Sequence, residues 1–312
     1  MKIAIIGTGM VGSTLAYTLT LSGIFEELLL IDVNKSRANA EALDISHSAT
    51  FTQSTKIISG DYSDLKNTDI IVITAGANQK KGEKRIDLLT QNVKIFKEIL
   101  PNIKKHLNNS PFTIIASNPV DIMTEITLNL LDSTPSKIIG TGTILDSARF
   151  KYELGLFLNI SPLSIQANVI GEHGDTEVLL WSSILANSTH FERLSKSLGK
   201  KLDSQNRKNI DTAVRNSAYE IIKGKGSTYY GIASSIQHII NSILSNNNTI
   251  LNICSHHSNS AGSLSYSLPT IINKDGIIKS LIPNMNEIER KDLLTSINTL
   301  AIQTQTALSL LK

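Results

Sequence analysis

The chain has 312 residues, of which 41% are hydrophobic and 18% charged, with 30 Lys and Arg against 27 Asp and Glu. At roughly 100–200 residues per domain this is chain for two domains, apolar enough for real cores and too lightly charged for disorder. A net charge of +3 without a long basic run excludes a dense positive face for nucleic acid or an anionic membrane, and the single cysteine, Cys254, excludes an intrachain disulfide or a thiolate zinc cluster.

The opening MKIAIIGTG lacks the segments of a signal peptide, and no apolar stretch approaches the ~20 residues that span a bilayer. A soluble, cytoplasmic protein in a reducing compartment is expected. Strands are predicted at Lys2–Ile6, Leu28–Ile31, Lys56–Ser59, Ile70–Thr74, Thr113–Ser117 and Lys137–Gly140. These runs are almost wholly apolar, as parallel strands buried on both faces are. Helical stretches such as Val11–Ser22, Arg37–Ser46 and Ile86–His106 lie between them. Strand and helix in alternation predict right-handed βαβ units in a doubly wound Rossmann sheet, with ligands outside the carboxyl ends of the strands. The rhythm changes after about residue 145. Helices are predicted over Asp146–Gly155, Val178–Ala186, Gln205–Lys223, Ile232–Leu244 and Met285–Leu311, a strand over Ile165–Ile170, and loop over the Asn- and Ser-rich patches of 241–263. The expected division is a dinucleotide-binding domain over 1–143 and an α+β substrate domain over 144–312.

Strand one runs into Gly7-Thr8-Gly9-Met10-Val11-Gly12. Its glycines suit a tight turn, close approach of backbone to a pyrophosphate and tight helix–strand packing, with free N–H groups at the helix start for the phosphates. Asp32 follows at the end of strand two, where an acid can accept from an adenosine ribose and repel the extra phosphate of NADP. NAD(H) is the expected cofactor. A dinucleotide site does not name a reaction, since methyltransferases and sensor domains share the fold.

Four further segments carry chemistry. Gly171-Glu172-His173-Gly174-Asp175 presents an imidazole in a glycine turn, suited to proton transfer near neutral pH. Taken alone it is equally a structural or exposed loop histidine. Asp146 and Arg149 share one helix face at i,i+3; they could orient an imidazole and clamp a carboxylate, or form a plain surface ion pair. Gln79-Lys80-Lys81-Gly82-Glu83-Lys84-Arg85 is a closing lid after strand four or a solvated charge run. Ser117-Asn118-Pro119-Val120-Asp121 ends strand five, where Asn118 can reach a ligand.

In this order GTGMVG, TAGANQKKGEKR, SNPVD, GTGTILDSAR, GEHGD and KGSTYYGIA resemble the L-lactate/malate dehydrogenase family, and most closely its bacterial L-lactate dehydrogenases. The resemblance implies reversible hydride transfer between NADH and a 2-oxo acid. His173 would be the general acid/base and Asp146 its carboxylate partner. Arg149 would bind the substrate carboxylate, and Arg85 on the closing loop would polarise the carbonyl. Asn118 would contact substrate and nicotinamide, Thr228 would lie in the substrate pocket, and Ile232 against the nicotinamide. Gly7, Gly9, Val11, Gly12, Asp32, Arg37, Tyr62, Gly76, Ala77 and Thr141 would complete the NAD site. A homo-oligomer, a tetramer by resemblance, is implied.

Gln79 stands at the family's discriminating loop position, where similar malate dehydrogenases carry arginine for the second carboxylate of oxaloacetate. A neutral glutamine would leave that charge buried and unpaired, whereas the methyl of pyruvate is tolerated. Pyruvate and lactate are the expected substrates. Malate dehydrogenase, a broader L-2-hydroxy-acid dehydrogenase and a non-catalytic NAD-binding protein are the alternatives, in that order. Lys151 and Gln166 stand where many bacterial members hold fructose 1,6-bisphosphate with an arginine and a histidine, so activation by that ligand is expected to be weak or absent. The stretch Ser255–Ser267 departs from the family pattern, and His256 and His257 lack the further ligand spacing of a metal site. No metal is expected.

Overall fold

The computed structural model describes residues 1–52, 55–77, 85–259 and 262–311, with residues 85, 86 and 259 described by backbone alone. The first half runs β1 (Lys2–Ile6), α1 (Met10–Ser22), β2 (Glu27–Ile31), α2 (Lys35–Ala49), β3 (Lys56–Ser59), β4 (Ile70–Ile73), α3 (Arg85–His106), β5 (Phe112–Ile115), α4 (Val120–Leu131) and β6 (Ile138–Gly140). The six strands pair in parallel in the order β6-β5-β4-β1-β2-β3, so the chain order reverses between β1 and β4. Successive residues of these strands point to opposite faces. Ile3, Ile5, Leu28, Leu30 and Val72 join one apolar cluster, while Ala4, Ile6, Leu29, Ile31 and Ile71 join the other. Helices cover both faces, which is why the strands read as unbroken apolar runs.

The second half continues with α5 (Ile144–Leu158), β7 (Ile165–Gln166), β8 (Val169–Ile170), β9 (Val178–Leu179), β10 (Leu185–Ala186), β11 (Thr189–His190), α6 (Phe191–Ser197), α7 (Ser204–Lys225), α8 (Tyr230–Ser245), β12 (Thr249–Asn259), β13 (Gly262–Asn273), β14 (Gly276–Ser280) and α9 (Glu287–Ser309). β12, β13 and β14 extend the parallel sheet at its β6 edge, with Cys254 paired antiparallel to Gly140. Among the described residues this gives a nine-stranded sheet to which both halves of the sequence contribute. Helix α8 returns to the first half, placing Ile236, Ile239 and Ile240 in the same cluster as Leu15 and Leu19 of α1. α9 packs Leu300 and Ala307 into the opposite cluster.

Three local expectations are corrected. The stretch 178–186 is not a helix: β9 pairs with β8, and β10 with β7 and β11, around a short 3-10 turn at Trp181–Ser183. Val178 and Leu180 enter one core cluster and Leu179 another, a division that suits a period of two and not of 3.6. The segment Ile165–Ile170 is two short strands in different sheets, interrupted where the Asn168 carbonyl accepts from Leu180 N–H at 3.0 Å. Much of 241–263 is helix and strand instead of loop. Its polar side chains pair sideways: Asn252 donates to Ser147 and Asn168, and His256 pairs with Glu125 at 3.0 Å. A buried polar face with its hydrogen bonds made is compatible with a sheet.

Candidate active site

The glycine turn sits where β1 meets α1. Gly7 has φ +99°, and a Cβ there would lie 2.5 Å from the Ala75 nitrogen; a Cβ on Gly12 would lie 1.9 Å from the Gly7 carbonyl oxygen. Both positions require glycine on steric grounds. Gly9, the residue before the helix, has open space at its Cβ position, no side chain caps α1, and no acid occupies its first turn. The first N–H groups of the helix are therefore left for an anion. Asp32, directly after β2, accepts from Thr8 N–H at 2.6 Å and the Thr8 hydroxyl at 3.1 Å through Oδ2, and from Asn34 N–H at 2.9 Å through Oδ1. An ionised carboxylate has about four acceptor sites, so Oδ1 keeps capacity for a ribose hydroxyl. The observed geometry fits a dinucleotide.

Of the other residues expected at the cofactor, Val11, Tyr62, Gly76, Ala77 and Thr141 follow strands β1, β3, β4 and β6. Val11 and Ile232 border the cluster shared by α1 and α8. Gly76 and Ala77 follow β4, and the Ala77 N–H donates to Asn92 Oδ1 at 2.7 Å. Thr141, buried beyond β6, donates its N–H to Ile115. Burial, with Asp32 nearby, raises Tyr62 above the usual phenol range. Arg37 is half-exposed, its guanidinium 3.8 Å from Glu41.

A cavity of about 620 Å³ opens beside this edge, lined by Asn118, Asp146, Arg149, His173 and Glu177 among others. Asp146, in the first turn of α5, is buried and serves two cations with two oxygens. Arg149 Nη1 donates to Oδ1 at 2.8 Å, and His173 Nδ1 meets Oδ2 at 2.5 Å. The imidazole is thus fixed by Nδ1, leaving Nε2 for the cavity. Burial works against the imidazolium, but Asp146 by charge and hydrogen bond, then Asp121 and Glu177 by charge, outweigh it and raise His173 to about 9. Burial likewise opposes ionisation of Asp146, yet His173 and Arg149 hold its carboxyl below the usual range. The pair is a carboxylate and an imidazolium at neutral pH.

Asn118, joined to Pro119 by a cis bond, lines the cavity, and its carbonyl accepts from Asn92 Nδ2 at 2.6 Å. Thr228 is half-buried between α7 and α8 and, like Ile232, does not line this cavity. Gln79 lies outside the described residues; Arg85 opens α3, but its side chain is outside them too. Of the residues matched to a bisphosphate site, Lys151 is half-buried on α5 and lowered by burial, and Gln166 is exposed on β7.

Sequence reading did not single out four groups that support the site. Asn92 bridges the turns after β4 and β5. Asp121 accepts from His173 N–H at 2.8 Å. Arg215 donates to the carbonyls of Asp175 at 3.2 Å and Glu177 at 3.0 Å while paired with Asp211 at 2.8 Å, and so ties α7 to the histidine loop. Glu177 is buried on the cavity wall, and burial with the charge of Asp146 raises it to about 8. The signal for Arg215 was its i,i+4 spacing to Asp211; for Asp121, an acid in the first turn of a helix.

Residues 1–140 match the model of the lactate/malate dehydrogenase NAD-binding domain, and residues 143–310 that of the family's alpha/beta C-terminal domain. The chain is 42% identical to an L-lactate dehydrogenase of Allorhizobium ampelinum over 298 residues, 95% of this chain and 96% of that one. An L-lactate dehydrogenase of Acetivibrio thermocellus is 41% identical over 301 residues, 96% of this chain and 95% of the relative. A lactate dehydrogenase from a Medee basin deep-sea metagenome superposes with a TM-score of 0.92 at 35% identity, covering 99% of this chain and 98% of the other. The minor L-lactate dehydrogenase of Enterococcus mundtii, in a ligands-bound form, gives 0.92 at 32% identity and 98% coverage of both chains. A dinucleotide turn, a carboxylate held between arginine and histidine at a cavity, and likeness along nearly the whole length have one common reading: the chain belongs to the lactate/malate dehydrogenase family of oxidoreductases.

Proposed function

We propose that the protein is an NAD-dependent L-lactate dehydrogenase that interconverts pyruvate and L-lactate in the cytoplasm as a homo-oligomer, a tetramer by resemblance. The observation that carries the reading is Asp146, buried between Arg149 and His173 on the wall of one cavity. Gly7, Gly9, Val11 and Gly12 with the amino end of α1 hold the pyrophosphate. Asp32, Arg37 and Tyr62 take the adenosine side, and Gly76, Ala77, Thr141 and Ile232 the rest of the cofactor. When bound, NADH supplies the hydride for the substrate carbonyl carbon.

The protein's own groups do the remainder. Arg149 pairs with the substrate carboxylate, Asn118 positions the substrate, Thr228 is assigned to the pocket by resemblance alone, and Gln79 leaves the far end of the substrate without a counter-charge. Arg85 polarises the carbonyl oxygen as negative charge grows there, in a site closed to water. His173 gives its Nε2 proton to that oxygen, while Asp146 retains Nδ1 and compensates the imidazolium beforehand. In lactate oxidation the neutral imidazole takes the hydroxyl proton back.

The test is NADH oxidation with pyruvate and oxaloacetate side by side, followed across pH. Pyruvate should be strongly preferred, and preference for oxaloacetate would overturn the reading. With His173 at about 9, kcat/KM for pyruvate reduction should be flat through neutrality and fall about tenfold per pH unit above that value. Lactate oxidation, which starts from the neutral imidazole, should rise about tenfold per pH unit up to that value and level off above it. A separate check concerns the clamp. Arg149→Lys keeps a cation beside Asp146 but loses the planar fork, and the lost charged hydrogen bond should raise the pyruvate KM by about 10- to 100-fold. An unchanged KM would remove Arg149 from substrate binding.

A further inference from the structure

Asp121 is an unusual place for a charge. Its carboxylate is 2% exposed, in the first turn of α4, two residues beyond the cis-bonded Pro119. Oδ2 accepts the main-chain N–H of His173 at 2.8 Å, and Oδ1 meets no N–H or O–H donor among the described residues. Among the described residues no Lys or Arg side chain pairs with it. The titratable groups around it are His173, Glu172 and, from β12, the buried thiol of Cys254. His173 in turn faces Asp146 from α5, Glu177 on its own loop and Asp121 from α4. The Cys254 thiol also hydrogen-bonds to the carboxylate, but a thiol is a weak donor, and a carboxylate buried without a cationic partner on it is unfavourable for folding, which asks for a functional reason.

We propose that Asp121 is a positioning residue for the reaction: its carboxylate clamps the main chain of His173 to α4 and supplies a second negative charge that favours the imidazolium. This rests on the lactate dehydrogenase reading. The clamp also fixes His173 relative to Asn118, because both hang from the same rigid turn after β5, and Asn92 ties that turn to the one after β4. One short segment thereby sets the proton donor against the nicotinamide side of the site.

The stability consequence has a definite sign. Burial pushes Asp121 up to about 6, above its ordinary range, although the His173 N–H and charge pull it down. Between its unfolded and folded values the folded protein binds more protons, so stability falls as pH rises through that window, and the deficit persists above it. A neutral asparagine removes the deficit.

The experiment is Asp121→Asn in the full-length protein. The titration of His173, followed by its imidazole proton resonance, should move from about 9 toward about 8, and the basic limb of pyruvate reduction should move with it. The NADH Kd should hold, and Tm at pH 8 should be unchanged or higher. A folded variant with His173 still titrating at the wild-type value overturns the proposal, and assigns Asp121 to structure alone. The resonance does not require turnover, so a wild type that fails to reduce pyruvate overturns the enzyme reading separately. Should the variant not fold, hydrogen exchange of residues 171–175 in the wild type decides. Once intrinsic rates are corrected for, protection should weaken from pH 8 to pH 5, as the clamp takes up a proton; equal protection overturns it.

Discussion

His173→Asn should bind NADH as the parent does and reduce pyruvate slower by on the order of 10²–10⁴-fold. Asparagine is close to imidazole in reach and can donate an N–H to Asp146, so the ordered carboxylate is not stranded. What it cannot do is release a proton to the alkoxide that forms as hydride reaches the carbonyl carbon. The Nδ1 contact at 2.5 Å and the elevation of His173 to about 9 mean that the wild type begins pyruvate reduction with this proton in place. The variant must draw it from water. The pH profile should also lose its basic limb, since no group titrating near that value remains at the carbonyl. NADH binding by fluorescence and turnover at 340 nm separate the cases: loss of both together would indicate misfolding and not a missing acid.

Gln79→Arg is expected to move the ratio of kcat/KM for oxaloacetate over pyruvate upward by two or more orders of magnitude. On the proposed placement of Gln79, the second carboxylate of oxaloacetate would be desolvated without a partner, and breaking a buried pair typically costs about 3–5 kcal/mol. At about 1.4 kcal/mol per tenfold, that is roughly two to three and a half decades of discrimination. An arginine supplies a fork that matches the carboxylate, and at the same time places an uncompensated cation against the methyl of pyruvate. The ratio should therefore change from both sides. No change would assign the discrimination to another residue, with Lys80 and Lys81 the nearest cations in sequence.

The sequence by itself determined the parts of this protein that depend on short-range rules. Parallel strands buried on both faces are written as apolar runs, so the first six strands were legible to within a residue or two. Gly7 and Gly12 were legible because their reasons are steric and local. The motifs that name the family were legible because each is contiguous. Asp146, Arg149 and His173 were readable as types but not as a site, since Asp146 and His173 are 27 residues apart.

Only the tertiary structure decided what depends on distant partners. The stretch 178–186 has the composition of a helix, yet its residues divide between two core clusters and pair with strands on both sides, which outweighs a propensity of a few tenths of a kcal/mol per residue. The polar strand β12 looks like loop until Glu125, Ser147 and Asn168 arrive from elsewhere to take its hydrogen bonds. The same holds for charge. Nothing local marks Asp121 or Glu177 as perturbed, because a carboxyl's proton affinity is set by what surrounds it in space. Burial and the neighbouring histidine exist only after α4, α5 and the histidine loop have packed together.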